Sequence, residues 1–499
     1  MLRFLIFFLV VLVFTRCDFP ANNSLTIAIE QFPKAFDPTQ NVGMDERQIN
    51  SQIYEMLLQL DADYQTLLPQ LAETWRVSAD ERIFTFYLRD NVFFHDGTKL
   101  SALSVKKSIE WLYERDFHAL QRTQIEGINI LDTLILEIKL VHPNAAFLYK
   151  MTSPVGLQVI SENALLKYGD DIIRHPVGTG PYQISAWKEG QEIRLKPFHN
   201  YWDKQQKAPA VIFKYIAEQS EREKALARGE VDILYTVSGY SIDRLKWLGK
   251  IDYYVQAAHN LLFLGFNHTR YPFNDVRARR AVLRAINIPK LVLNVNRGNA
   301  EIAKGPLSAA YLNYDNFEQA GYDPDTAWRL WRSVVKDSLI HVNFDFPGVA
   351  FARPTLVNIL EQELARLGIA LNVRIHDTWE EFDEAISSDD AQLFINGGSP
   401  DFLGDAENLL NDLFSNTSDF NTLHYHNEQI EQWLHQSRRE SDPEARRRLY
   451  EKIVRQVLED TPAVFLYHVI PHFAYNVDKI ESMVVDPYGI IRFHKIELK

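Results

Sequence analysis

An α/β fold of several subdomains is what this sequence predicts, and three observations carry the prediction. Strand-like and helix-like segments alternate along the whole chain. No low-complexity tract, heptad array or short repeat interrupts them, which sets aside solenoids and coiled coils. A length of 499 residues, with 46% hydrophobic and 24% charged, supplies apolar material for more than one core. The formal net charge of −13, from 66 acidic and 53 basic residues, argues against a nucleic-acid partner, which requires a basic surface.

The elements follow in chain order. After Met1-Leu2-Arg3, an unbroken apolar run from Phe4 to Phe14 ends in Thr15-Arg16-Cys17. A basic start, a short apolar run and a polar exit match a secretory signal over residues 1–16. The run is shorter than the ~18 to 20 residues of a spanning helix, and no other segment approaches that length. Cys17 is the single cysteine, so an intramolecular disulfide is impossible. Its position resembles that of a bacterial lipoprotein signal, in which the thiol is acylated; Arg16 stands where such signals prefer a small residue. An incidental buried thiol is the alternative. The lipoprotein reading places the chain on the periplasmic or extracellular side of the cell membrane, anchored through lipid.

Ser24 to Ile29 reads as a strand. Gln48 to Leu60 reads as a helix, with Ile53, Met56, Leu57 and Leu60 on one face. Ile83 to Leu88 is rich in β-branched and aromatic residues and reads as a strand. Asp96-Gly97 signals a turn. Ser101 offers an N-cap to a helix carrying Val105, Ile109 and Leu112 at i, i+4 and i+7. Leu131 to Ile138 reads as a hairpin strand. Asp442-Pro443 opens a long amphipathic helix through Leu458, with Leu449, Ile453, Val454 and Val457 facing inward, and Val464 to Tyr467 follows as a strand.

A series of short blocks carries a resemblance. Phe36-Asp37-Pro38, Ile53-Tyr54-Glu55-Met56-Leu57, Leu71-Ala72-Glu73-Thr74-Trp75 and Phe94-His95-Asp96-Gly97-Thr98 come first. Gly178-Thr179-Gly180-Pro181-Tyr182 follows, with Trp187 and Asn200-Tyr201-Trp202. Then come Gly229-Glu230-Val231-Asp232-Ile233, Leu264-Gly265-Phe266-Asn267, Pro272-Phe273, Asp275-Val276-Arg277 and Gly305-Pro306-Leu307. In this order they resemble the family 5 extracellular solute-binding proteins, the oligopeptide, dipeptide and nickel-chelate receptors of ABC importers. The resemblance spans nearly all of the chain after Cys17. It implies a two-lobed periplasmic-binding-protein-like fold with an extra subdomain. Lobe I would take residues 17–50, 175–255 and 470–499, the extra subdomain 51–174, and lobe II 256–469.

The residues themselves show little catalytic chemistry. Gly-x-Ser-x-Gly and His-Glu-x-x-His do not occur, and Ser-x-x-Lys, as at Ser104 to Lys107, has no partner motif. Gly178 and Gly180 lack a following Gly-Lys-Ser/Thr, and Pro181 removes a backbone donor, so this segment reads as a structural turn and not a phosphate loop. His95 reads as a structural histidine. His424 and His426 have no third ligand and read as a loop, so no metal or cofactor is expected.

What the resemblance implies is a receptor that captures a peptide in an interdomain cleft and delivers it to the importer's permease, without catalysis. Its sites would be Asp401 for the ligand's α-ammonium, with Tyr54 and Asn267 near the cleft. Asp401 lies in Ser399-Pro400-Asp401-Phe402-Leu403-Gly404-Asp405, which carries one residue more than the family pattern. A receptor for a nickel chelate or oligosaccharide is the leading alternative, and a lipid-anchored enzyme on the same scaffold is another.

Overall fold

The computed structural model describes residues 24–499, apart from 39–42, 116–123, 155, 204–208, 236, 238, 249, 257–259, 298, 316, 337–338, 349–353 and 399–404. The signal segment expected over residues 1–16 and Cys17, and the candidate Asp401, therefore lie outside the described residues.

The apolar run Ser24–Ile29 forms a strand in the middle of a seven-stranded sheet. It runs parallel to Ala210–Tyr215 on one side and to Ile233–Tyr235 on the other. Strands in such a setting are covered on both faces and read as continuous apolar sequence. Accordingly Leu25, Ile27 and Ile29 join one core, while Ala28 faces another with Leu226 and Val231. Ile251–Val255, His472–Asn476, Glu192–Pro197 and Tyr182–Lys188 complete this first sheet by antiparallel pairing.

A second sheet has six strands, in the order Ala300–Ile302, Ala463–Val469, Asn260–Phe266, Leu393–Gly398, Ile340–Pro347 and Ile369–His376. Successive side chains of Asn260–Phe266 enter different cores. Leu262, Leu264 and Phe266 pack on one face, and Leu261 and Phe263 on the other. That alternation is the period of a pleated strand buried from both sides.

A third, four-stranded antiparallel sheet joins Ala72–Val77, Ile83–Leu88, Ile135–Leu140 and Ile125–Asp132. Its Phe84, Phe86, Leu136 and Ile138 belong to the same core as the first sheet. The first and third sheets thus form one body and the second sheet another. The chain passes between these bodies after Val255 and again after Val469, and the Gln256 amide donates to the Pro471 carbonyl at 3.2 Å where the two passages meet.

Local sequence explains most elements. Ser101 caps the helix Ala102–Glu114 by accepting from the Ser104 amide, and Asp442 caps Pro443–Asp460 by accepting from the Glu444 and Ala445 amides. Three expectations need correction. The helix expected over 48–60 is Met44–Ile53, followed by extended Tyr54 and the strand Leu58–Leu60. The Gly180 amide donates to the Ile53 carbonyl at 2.9 Å, and Leu57 accepts from Ala72 at 3.0 Å. Those carbonyls are therefore engaged outside the helix. The segment 131–138 contains a hairpin turn, between Asp132 and Ile135. In the long C-terminal helix, Arg446 and Tyr450 are buried, whereas Leu449 is only half-buried.

Candidate ligand cleft

In open sheets with parallel strands, ligands bind beyond the strands' carboxyl ends. In the first sheet this edge is organised by Asp45, in the first turn of helix Met44–Ile53. One Asp45 carboxylate oxygen accepts from the Glu30 and Gln31 amides at 3.1 and 2.7 Å, just past the end of Ser24–Ile29. The other accepts from the Tyr235 hydroxyl at the end of Ile233–Tyr235. Burial pushes Asp45 up to about 6, against the lowering effect of the Tyr235 hydroxyl. Glu30 in turn pairs with Arg222 at 2.9 Å.

The second sheet has a matching cluster near the end of Ile340–Pro347. Fully buried Asp345 accepts two bonds from Arg374, at 2.8 and 2.6 Å, and meets His376 Nε2 at 2.8 Å. The fork geometry fixes the guanidinium plane, and Arg374 also reaches Asp390 at 2.6 Å.

Tyr54 is 1% exposed, and its hydroxyl donates to the Phe36 carbonyl at 3.4 Å. Burial, helped by Asp37, raises its phenol far above the ordinary range. Asn267 is also 1% exposed; its Oδ1 accepts from the Thr269 amide and hydroxyl at 3.0 and 2.7 Å. The structure thus buries both side chains and gives each a local hydrogen-bond partner. Asp405, four residues after Asp401, caps helix Ala406–Phe414 and accepts from Tyr450 at 2.6 Å. Its other oxygen faces Arg446 at 3.2 Å.

His95 Nδ1 accepts from the Gly178 amide and Nε2 donates to the Gly180 carbonyl at 3.0 Å. Burial lowers it to about 4, so it is neutral at physiological pH. The two glycines are needed for close approach. A Cβ on Gly178 would lie 2.1 Å from the Ile53 carbonyl oxygen, and one on Gly180 2.4 Å from that of Gln52. His426 bonds Asn416 at 3.1 Å. Among the described residues no group of three His, Cys, Asp or Glu could hold a metal ion, and no helix is long and apolar enough to cross a membrane.

Sequence reading missed Asp45, Asp345, Arg374 and Arg446. Each is a common residue type whose partner lies far away or in another element. Glu55 was legible only as part of a block, yet it joins two blocks. It accepts from Tyr201 at 2.9 Å and Trp202 at 3.1 Å, and burial raises its carboxyl. Taken together, each of the two large sheets carries a buried carboxylate held by fixed partners near the carboxyl end of a parallel strand.

Residues 66–421 match the family described as "Bacterial extracellular solute-binding proteins, family 5 Middle". The chain is 26% identical over 458 residues to the glutathione-binding protein GsiB of Escherichia coli, covering 89% of each. Its fold is similar to that of the periplasmic binding protein DppA from Helicobacter pylori in complex with the peptide STSA (TM-score 0.82, 22% identity, 95% of this chain and 98% of that one). It is similar also to NikA from Brucella suis in complex with Fe(III)-EDTA (TM-score 0.85, 20% identity, 95% and 100%).

Proposed function

This chain belongs to the family 5 bacterial extracellular solute-binding proteins, and from that premise we propose that it captures a short peptide between its lobes for an ABC importer. The observation that carries the reading is the pair of bodies with separate cores, each built on a sheet with parallel strands and joined by two chain passages, an arrangement suited to holding a ligand between them. The full-length likeness to a glutathione-binding protein and to a peptide complex supports the ligand class. Lobe I is assigned to 17–50, 175–255 and 470–499, the extra subdomain to 51–174 and lobe II to 256–469. Asp401 is assigned to the α-ammonium. It follows Gly398, where a strand parallel to Ile340–Pro347 ends. The protein binds and releases without turnover.

Isothermal calorimetry tests the ligand with three probes: reduced glutathione, Ser-Thr-Ser-Ala and Fe(III)-EDTA. Saturable binding of either peptide is expected. Binding of the chelate alone overturns the peptide assignment in favour of a metal-chelate receptor, a reading that the likeness to NikA supports. The anchor assigned to Cys17 is read by mass: a Cys17→Ser variant loses its acyl groups, and an unchanged lipid content rejects the anchor.

A further inference from the structure

We propose that Tyr149 and Arg446 are the positioning pair of a clasp that holds the two lobes closed, on the face where the extra subdomain meets lobe II. The proposal rests on the two-lobed binding reading and gives the extra subdomain a part in it.

Among the described residues, the contacts that cross this face include a cation over a ring, a ring pair and a main-chain bond. Arg446, on the helix Pro443–Asp460, has its guanidinium carbon 5.0 Å from the centroid of the Tyr149 ring. Tyr64 and Tyr311 meet with ring centroids 5.8 Å apart. The Ala145 amide donates to the Arg438 carbonyl at 2.7 Å, a main-chain bond from one body to the other. Each partner is held in place on its own side. Arg446 pairs with Asp405, and Arg438 with Glu407 at 2.8 Å. Tyr149 donates its hydroxyl to the Gln65 carbonyl at 3.0 Å and packs with Leu60, Tyr488 and Ile490.

The composition of this face is that of separable surfaces. Among the described residues, no hydrophobic core cluster draws on both bodies. Instead the face includes aromatic rings, a cation and a backbone bond, and it borders a partly open cavity of about 50 Å³ lined by Tyr64, Tyr149, Tyr311, Asp405, Arg446 and Tyr450 among others. Polar interfaces of this kind between domains open and close. A physical route also runs to the chain passage. Gln256 donates to the Asp486 and Pro487 carbonyls at 2.8 and 2.7 Å, and the next residue, Tyr488, packs beside Tyr149. Rotation at the passage therefore displaces the tyrosine cluster from Arg446.

A desolvated cation over an aromatic face is lost when the ring is replaced by an aliphatic side chain. Hydrogen exchange of the Ala145 amide reads closure directly, measured on the full chain with and without saturating reduced glutathione. Tyr149→Leu should speed that exchange by about three- to thirtyfold in at least one condition. Tyr149→Phe, which keeps the ring face, should stay close to the parent. Protection within Ile83–Leu88 should be unchanged, as a merely structural role would not allow. If Tyr149→Leu unfolds the subdomain, Arg446→Met, which removes the cation and keeps an unbranched side chain, replaces it, with the same acceleration expected. Equal Ala145 exchange in parent and variant under both conditions overturns the clasp. Faster exchange in the variant with no response to glutathione leaves the clasp standing and counts only against glutathione as ligand.

Discussion

Asp45 is the carboxylate on which the edge of the first sheet turns, and its burial has a consequence for stability. Its pKa in the fold, about 6, lies above the ordinary 3.8, so the charged form is the one the fold disfavours. The unfolded chain then binds fewer protons than the native one between those values, and stability falls as pH rises through that window. The contribution of this single group is on the order of 3 kcal/mol. Urea unfolding of the parent and Asp45→Asn should therefore show the parent's advantage greatest near pH 4 and smaller above pH 6; an advantage that grows with pH refutes the buried-carboxyl account. At Asp401 the expected effect is on binding. Leaving a buried α-ammonium unpaired costs roughly 3 to 5 kcal/mol, so Asp401→Asn should weaken peptide binding on the order of a hundredfold or more. N-acetylating the peptide should cost a similar amount, and the two losses should not add. Calorimetry on the four combinations decides it, and tight binding by Asp401→Asn removes the assignment.

Among the elements, the one most dependent on a distant segment is the stretch after Ile53, where the backbone of 178–180 lies against the end of a helix. Gly178→Ala puts a methyl group 2.1 Å from a main-chain oxygen, which cannot yield as a flexible side chain would. Overpacking of this kind costs about 1 to 3 kcal/mol. Gly127→Ala is the control, since a Cβ there meets nothing within 4 Å and should be neutral or slightly stabilising. Denaturation midpoints check the contrast; equal losses would show that close approach is not why glycine stands at 178. The same segment explains what could be read from sequence. Ser24–Ile29, Ile83–Leu88 and the two capped helices follow from local pattern and were legible. The end of the helix at Ile53 was not, because a hydrogen bond from residue 180 decides it. The glycines themselves were legible as a turn, but their partner was not.

For the whole molecule, two bodies with separate cores should not unfold as one cooperative unit unless something bridges them. The core of the first and third sheets shares no residue with the two cores that cover the second. The block order made the two-lobed fold legible, whereas the clusters around Asp45, Asp345 and Arg446 were not, since each is assembled from separated segments by tertiary contact. Differential scanning calorimetry of the unliganded chain should accordingly resolve two transitions, one for each body. A ligand held between both binds only when both are folded. At a hundredfold excess over its Kd it adds about 2.7 kcal/mol to the closed state. The less stable transition should then rise by several degrees and move toward the other, since ~1 kcal/mol shifts a domain of this size by roughly 2 to 4 °C. Tyr149→Leu should lessen that convergence, and Tyr149→Phe, which keeps the ring face, should preserve it. A single transition that ligand merely shifts upward would mean that the polar face between the lobes already couples them fully, and the lobes would then have to close by some route other than separation at that face.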